Sequence, residues 1–287
     1  MEIFLDCLPC MMRQALEAAK MATDDEVLQS EIMERTLAIL SKFKRFDTAP
    51  EISGVIQESI RELTGVQDPY AAVKARDIEE ALRLEPLIRT YAQETGDSLP
   101  RALKTAATGN VMDAALYSGY DLENRLMQEL KRPFEITDQE LFAGNLKQAK
   151  KILVIADNAG EVVFDRILTE YLSKTHQVIY AVRGRPILND ATLVDALRAG
   201  MGPGVELIST GVATPGAVMA LASEEFQALF RSADLVISKG QGNYEALSSP
   251  ERDVYFLLKA KCQRIATALG VGLGAYVFKK VEGSRRE

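Results

Sequence analysis

The stretch KILVIADNAGE, residues 151–161, sets an unbroken apolar run directly against Asp157, Asn158, Gly160 and Glu161. A short run without polar alternation fits a strand buried on both faces, and such strands belong to parallel sheets covered by helices. Similar runs follow: QVIYAV (177–182), VELIS (205–209), DLVIS (234–238) and RIATAL (264–269). Helical patterns over 161–173, 192–198 and 224–231 separate them. Strands alternating with helices predict an α/β fold: a three-layer α/β/α, Rossmann-like unit with a mostly parallel sheet.

Upstream of residue 151 the periodicity changes. Residues 10–20, 26–44, 52–63, 70–91 and 99–116 carry apolar side chains at intervals of three and four, the signature of amphipathic helices. Asp24 and Asp25 stand where the second of these helices needs an N-cap. The expected organisation is a helical N-terminal region over 1–145 and a Rossmann-like domain over 146–287 that carries most of the site. Gly109-Asn110 lies inside the last helical pattern. Glycine there costs about 1 kcal/mol against alanine, so a close backbone or ligand approach is expected.

Composition narrows the chemistry. The 287 residues have a net charge of -7 and one histidine. A multi-histidine zinc centre is excluded, and an isoelectric point near 5.1 argues against a nucleic-acid binder. Three cysteines cannot form a disulfide framework, which points to a reducing compartment. The longest uncharged stretches, 207–223 and 265–278, are broken by glycine or proline and fall short of the ~20 apolar residues of a membrane span. The beginning MEIFLDCLPC is acidic where a secretory signal is basic, so a cytoplasmic location is expected. The two parts differ in charge: residues 1–145 hold 16 Lys and Arg against 26 Asp and Glu, residues 146–287 hold 18 against 15. An acidic chain thus contains a part that welcomes an anion.

In open parallel sheets ligands bind beyond the carboxyl ends of the strands. Four of the expected strands end there in polar and glycine residues. The first delivers Asp157, Asn158 and Glu161; the second Arg183, Arg185 and Asp190; the third Ser209, Thr210 and Gly211; the fourth Lys239, Gly240 and Asn243. Asp157, Asn158 and Asp190 offer hard oxygen ligands, the set preferred by Mg2+ or Mn2+. Glu161 opens a helix, where it serves as a cap, a support for the ligands or a general base. Lys239 with the glycines after it suits an oxyanion, although the spacing is not that of a P-loop. Asn110 and Asp113 share a helix face, either in an interhelical hydrogen bond or over the sheet edge. Cys7 and Cys10 flank Leu8-Pro9 at a helix start without a thioredoxin-like context, and His176 falls at the opposite end of the sheet.

Taken in order, DCLPCMMRQAL, AATGNVMDAAL, VIADNAGEVVFD, VRGRPILNDAT, STG and SKGQGNYEAL resemble the damage-control metallophosphatase family, also described by an acidic-residue-methyltransferase-like domain. The resemblance runs from Asp6 almost to the C-terminus, and the Cys-x-x-Cys is similar to that of the prokaryotic branch. It implies a divalent-metal-dependent phosphatase with metal ligands at Asp157, Asn158 and Asp190. It further implies a phosphate contact at Lys239 and a Gly-Asn motif at Asn110. The expected substrate is a small phosphorylated metabolite, such as a sugar phosphate or a damaged phosphometabolite.

The reaction expected is hydrolysis of a phosphate monoester with Mg2+ or Mn2+, or with Co2+ or Ni2+ in their place. Asp157, Asp190 and Glu161 are the candidates for nucleophile or base. Lys239, Asn110, Ser209, Thr210, Gly211, Arg183 and Gly240 are the candidates for substrate binding. Two other readings compete. An S-adenosylmethionine-dependent carboxyl methyltransferase would want more glycine after the first strand and an acid ending the second. A non-catalytic phosphometabolite-binding protein would need no metal. No membrane or nucleic-acid partner is expected, and the sequence leaves oligomeric state open.

Overall fold

The computed structural model describes residues 1–94, 96, 98–114 and 120–284. Helices α1 (Cys7–Ala22), α2 (Glu26–Leu40) and α3 (Ala49–Thr64) form a unit with its own core, in which Met11, Ala15, Ile32, Ile52, Ile56 and Ile60 interdigitate. Asp25 caps α2, its carboxylate accepting from the Val27 and Leu28 amides. Next come α4 (Ala71–Gln93), α5 (Leu99–Thr108), α6 (Tyr120–Lys131), strand β1 (Phe134–Thr137) and α7 (Gln139–Leu146).

The α/β alternation then begins. It runs β2 (Lys151–Ile155), α8 (Val162–Ser173), β3 (Gln177–Val182), α9 (Leu193–Arg198), β4 (Val205–Ser209), α10 (Glu224–Ser232), β5 (Leu235–Lys239), α11 (Gln241–Leu247), β6 (Val254–Lys259), α12 (Gln263–Leu269) and β7 (Tyr276–Val281). The seven strands lie in the order β1-β7-β6-β5-β2-β3-β4. Every pairing is parallel except that of β6 with β7. The sequence path turns back at β2: β3 and β4 lie to one side of it, β5 and β6 to the other. The crevice beyond β2 is therefore the place where the topology directs a ligand.

Pleating sorts the side chains into two cores, as expected for a sheet covered on both faces. Ile152 and Val154 of β2 pack with helices α4 to α8, while Leu153 and Ile155 pack with α10 to α12. The first of these cores draws on residues both before and after position 145, from Ile78 through Phe142 to Phe278. Gly109, in the 3-10 turn after α5, has a close approach to account for it. A Cβ there would lie 3.0 Å from the Phe164 Cβ and 3.3 Å from the Glu161 Cα, so its absence lets this turn press against the start of α8.

Two assignments differ from the sequence expectation. RIATAL is helix α12, not a strand: its buried positions Ile265, Ala266 and Leu269 follow a helical interval, and Gly270 in the left-handed region closes it. The strand that belongs beside β5 is VYFLLK, rich in β-branched and aromatic residues and buried from Val254 to Leu258. Strands β1 and β7 also went unseen in the sequence, β1 because it has only four residues.

Phe142 sets α7 against the sheet, its ring edge-on to Tyr255 at 4.9 Å and to Phe278 at 5.4 Å. Phe142→Ala is expected to cost about 3–5 kcal/mol in chemical denaturation, from lost burial plus the cavity left behind. A loss below about 1 kcal/mol would show that α7 contributes little to this core.

Candidate active site

Asp157 and Asn158 leave the carboxyl end of β2, and the chain after β3 folds back beside them. The Ala191 amide donates to the Asp157 carbonyl at 2.8 Å, and the Ala159 amide to the Asn189 carbonyl at 2.9 Å. This pairing brings Asp190 opposite Asn158. Backbone ladders thus bring Asp157, Asn158 and Asp190 together, and all three line a cavity of about 620 Å3. The α/β unit supplies the cavity floor with Asn189, Gly242 and Lys261, while α1 and the start of α3 supply a wall with Met11 and Pro50.

Behind the floor is a buried ionic network. The Lys239 ammonium, 1% exposed, donates to Asp165 Oδ1 at 2.6 Å and Glu161 Oε2 at 2.9 Å. The Tyr180 hydroxyl donates to Asp165 Oδ2 at 2.6 Å. The other Glu161 oxygen accepts from the amide nitrogens of Asn110 and Asn158, both at 3.0 Å. That last bond has a chemical consequence: with its amino group turned to Glu161, the Asn158 side chain presents its oxygen elsewhere, as a metal ligand must. On the far side, Arg183 Nε donates to Asp190 Oδ2 at 2.7 Å, and its Nη2 is 4.0 Å from Asp157 Oδ1. The two Nη groups of Arg183 make no hydrogen bond among the described residues, which leaves donor capacity for an oxygen brought into the site.

The charges do not balance. Asp157, Glu161, Asp165 and Asp190 are four buried carboxylates, and Lys239 and Arg183 are the two buried cations paired with them. Burial, and then the negative charges of Glu161 and Asp190, push the Asp157 pKa well above the usual carboxylate range, against the pull of Lys261 and Arg183. Burial also raises Asp165, with Lys239 opposing. For Lys239, burial works against the charge, but Asp165 and Glu161 outweigh it and hold its pKa above the ordinary value. A donor set of carboxylate and amide oxygens in which acids outnumber their paired cations fits a hard divalent cation.

Gly240, at the end of β5, is shaped by the same cluster. Its φ is +79°, and a Cβ would lie 2.0 Å from Asp157 Oδ2, so the carboxylate occupies the space of the missing side chain. Asn243 holds this corner together: its side chain donates to the carbonyls of Ala156 and Lys239 and accepts from the Ala217 amide.

Other expected site residues lie apart from the cavity. Lys239, expected at the phosphate, is turned toward α8 and spent on Glu161 and Asp165. Glu161, a candidate general base, is fully engaged by three donors. Ser209, Thr210 and Gly211 finish β4 one strand further out, where the Thr210 hydroxyl donates to the Val182 carbonyl and the Ser209 hydroxyl accepts from the Gly211 amide. Arg185 is half exposed and pairs with Glu58. His176 lies before β3, its ring nitrogens 3.0–3.1 Å from the Leu146 and Leu172 carbonyl oxygens. The side chain of Asp113 lies outside the described residues.

Lys261 is the cation that the sequence reading missed. It follows β6, lines the cavity with Asp157 and lines a second cavity of about 250 Å3 with Asn110. The sequence pattern places no strand over 254–259, so no strand end is expected at Lys261. Asp165 was missed as well; its spacing of four from Glu161 on α8 was the available signal.

Comparison with known proteins shows the family. Residues 3–277 match the model of the damage-control phosphatase ARMT1-like domain. The chain belongs to the damage-control phosphatase family. It is 35% identical to a damage-control phosphatase of Pyrococcus horikoshii, over 96% of this chain and 97% of that one. It is 33% identical to a damage-control phosphatase of Archaeoglobus fulgidus, over 96% and 98%. An uncharacterized protein of Methanocaldococcus jannaschii is 36% identical over 96% and 94%. The crystal structure of a DUF89 family protein from P. horikoshii superposes with a TM-score of 0.86 at 33% identity, over 98% of this chain and 99% of that chain. Among the described residues of this family member, no helix is long and apolar enough to cross a membrane.

Gly240→Ala is expected to displace the Asp157 carboxylate while leaving the sheet intact. If the cluster holds a divalent cation, its affinity, read by calorimetry, should fall about 10-fold or more, the scale of a disturbed ligand support. Unchanged affinity would show that Asp157 does not depend on this contact.

Proposed function

We propose that the chain is a divalent-metal-dependent phosphomonoesterase of small phosphorylated metabolites. The observation that carries the reading is the cluster of Asp157, Asn158 and Asp190 at the switch point of the sheet, where buried carboxylates outnumber the buried cations paired with them. Membership in the damage-control phosphatase family supports it. Asp157, Asn158 and Asp190 would hold the metal, Mg2+ or Mn2+ by the hardness of their oxygens, with Co2+ or Ni2+ as substitutes. When bound, it would supply charge neutralisation at the phosphate and a water of lowered pKa.

The protein's own residues do the positioning. Lys239 fixes Glu161, and Glu161 fixes the amides of Asn158 and Asn110. Arg183 fixes Asp190 and keeps its unspent donors beside Asp157. Lys261, on the cavity floor, would meet the phosphate oxygens and offset the charge that builds on them during transfer. With Glu161 fully engaged, attack falls to the Asp157 carboxylate or to a water that Asp190 orients.

The cavity selects by size and by charge. About 620 Å3 exceeds what a phosphate alone needs, and its mixed lining of Met11, Pro50, Leu188 and Arg264 suits the carbon skeleton of a metabolite. A phosphate with a small organic body is the substrate class that fills it.

A panel of phosphometabolites tested with Mg2+, Mn2+, Co2+ and Ni2+ should give metal-dependent phosphate release. Asp157→Ala is expected to lower kcat/KM by at least about 10^3-fold, since one group then fails both as ligand and as reactant. Release that persists in chelator, or that survives Asp157→Ala, would overturn the proposal.

A further inference from the structure

The chain has three cysteines, and all three line the cavity that contains Asp157 and Asp190. Cys7 and Cys10 come from the first turn of α1, in the helical unit with a separate core. Cys262 is the N-cap residue of α12, in the layer that covers the sheet. The sulfurs thus stand on opposite sides of the seam where helical unit and sheet unit meet over the site. All three are free thiols: Cys10 is exposed, while Cys7 and Cys262 are half-buried, each at the edge of a different core.

Non-covalent contacts hold this seam, among them the Met1 ammonium donating to the Glu245 carbonyl at 2.6 Å and Arg61 donating to the Pro186 carbonyl at 2.8 Å. Arg264 of α12 donates to Asp6 at 2.6 Å, but both side chains are at least half exposed, where ion pairs contribute little. The Cys262 sulfur accepts from the Gln241 side chain at 3.5 Å, and the Cys10 sulfur from Arg13 at 4.0 Å. A covalent bond between α1 and α12 would be a stronger fastening than the exposed Arg264–Asp6 pair.

We propose that Cys7, Cys10 and Cys262 form a thiol-modification site in which a disulfide joins Cys7 to Cys262 across the seam and restricts the catalytic cavity. The three-residue interval puts Cys7 and Cys10 on one face of α1. Cys7 and Cys262 face one another across the cavity that all three cysteines line, and burial, opposed by a hydrogen bond with Phe4, raises the Cys7 pKa. The exposed Cys10 is therefore the entry point and the sheltered Cys7 the hub.

The chemistry balances with a low-molecular-weight disulfide as oxidant. Cys10 loses its proton and attacks that disulfide, forming a mixed disulfide and releasing one small thiol. Cys7 displaces the second small thiol, giving a Cys7–Cys10 bond. Cys262 then attacks the Cys7 sulfur and returns Cys10 to its thiol form. Two protein S–H bonds are lost and one S–S bond is gained, while the oxidant is reduced to two thiols. A dithiol reductant reverses the sequence. The link itself does not depend on the phosphatase reading; its effect on catalysis does.

Oxidation of the full-length protein with hydroxyethyl disulfide, followed by peptide mapping, tests the link independently of activity. The expected product is a disulfide-bonded pair of peptides containing Cys7 and Cys262, absent in Cys262→Ser. Because the bond closes a loop of nearly the whole chain, the oxidised protein should also melt several degrees higher, by about 3 °C or more, than the reduced one. Phosphate release should fall about 10-fold on oxidation, recover with dithiothreitol and persist in oxidised Cys262→Ser. A map showing only Cys7–Cys10, or only mixed disulfides, would overturn the cross-seam bond. A mapped Cys7–Cys262 bond with phosphate release undiminished would overturn the restriction of the cavity. If neither redox form releases phosphate, the failure belongs to the phosphatase reading, and the map and melting curve still decide the link.

Discussion

Burying charge is the constraint on which this molecule's active edge is built. Desolvating a carboxylate costs several kcal/mol unless an opposite charge and hydrogen bonds repay it, and this sheet edge buries four. Lys239 answers Asp165 and Glu161, and Arg183 answers Asp190 and stands near Asp157. The remaining surplus is concentrated at Asp157, the carboxylate whose pKa burial and neighbouring acids raise most plainly. Geometry follows from the same electrostatics. Lys239 pins Glu161, Glu161 turns the Asn158 and Asn110 amides, and Gly240 gives up its side chain so that Asp157 can sit against β5.

Sequence reading reached the centre of this arrangement and lost its periphery. Asp157, Asn158 and Asp190 were legible because they follow apolar runs, and the rule that ligands gather at strand ends needs only those runs to be recognised. Gly240 was legible as a strand-end glycine, although its task of making room for a carboxylate was not. Lys239 had the right type and place, but a residue ending a strand can point to either sheet face, and nothing local says which. Its partners Glu161 and Asp165 lie 78 and 74 residues away, so only the folded chain shows that its charge is already spent. Lys261 was lost for a simpler reason. RIATAL is as apolar as a strand but is spaced as a helix, and assigning a strand there drew attention from VYFLLK and from the lysine after it.

The helical unit gives the site its shape. Its core of α1, α2 and α3 is separate from the two that sandwich the sheet, yet Met11, Pro50 and Ser53 form part of the cavity wall. The oxygen-bearing cluster on the sheet thus faces a cavity wall built from a unit with its own core. The three thiols lie along the same junction and line the same cavity as Asp157, Asn158 and Asp190.

The most direct test of the account is a calorimetric titration of the metal-stripped protein with Mn2+, alongside Asp157→Asn and Asp190→Asn. If the surplus of buried negative charge exists to hold a cation, the wild type will bind one ion per chain. At a hundredfold excess over Kd it will then gain about 2.7 kcal/mol of stability. Each variant will lose most of that binding. Saturable binding that both variants retain, or a wild type that binds no ion, would contradict the claim that this cluster is a metal site.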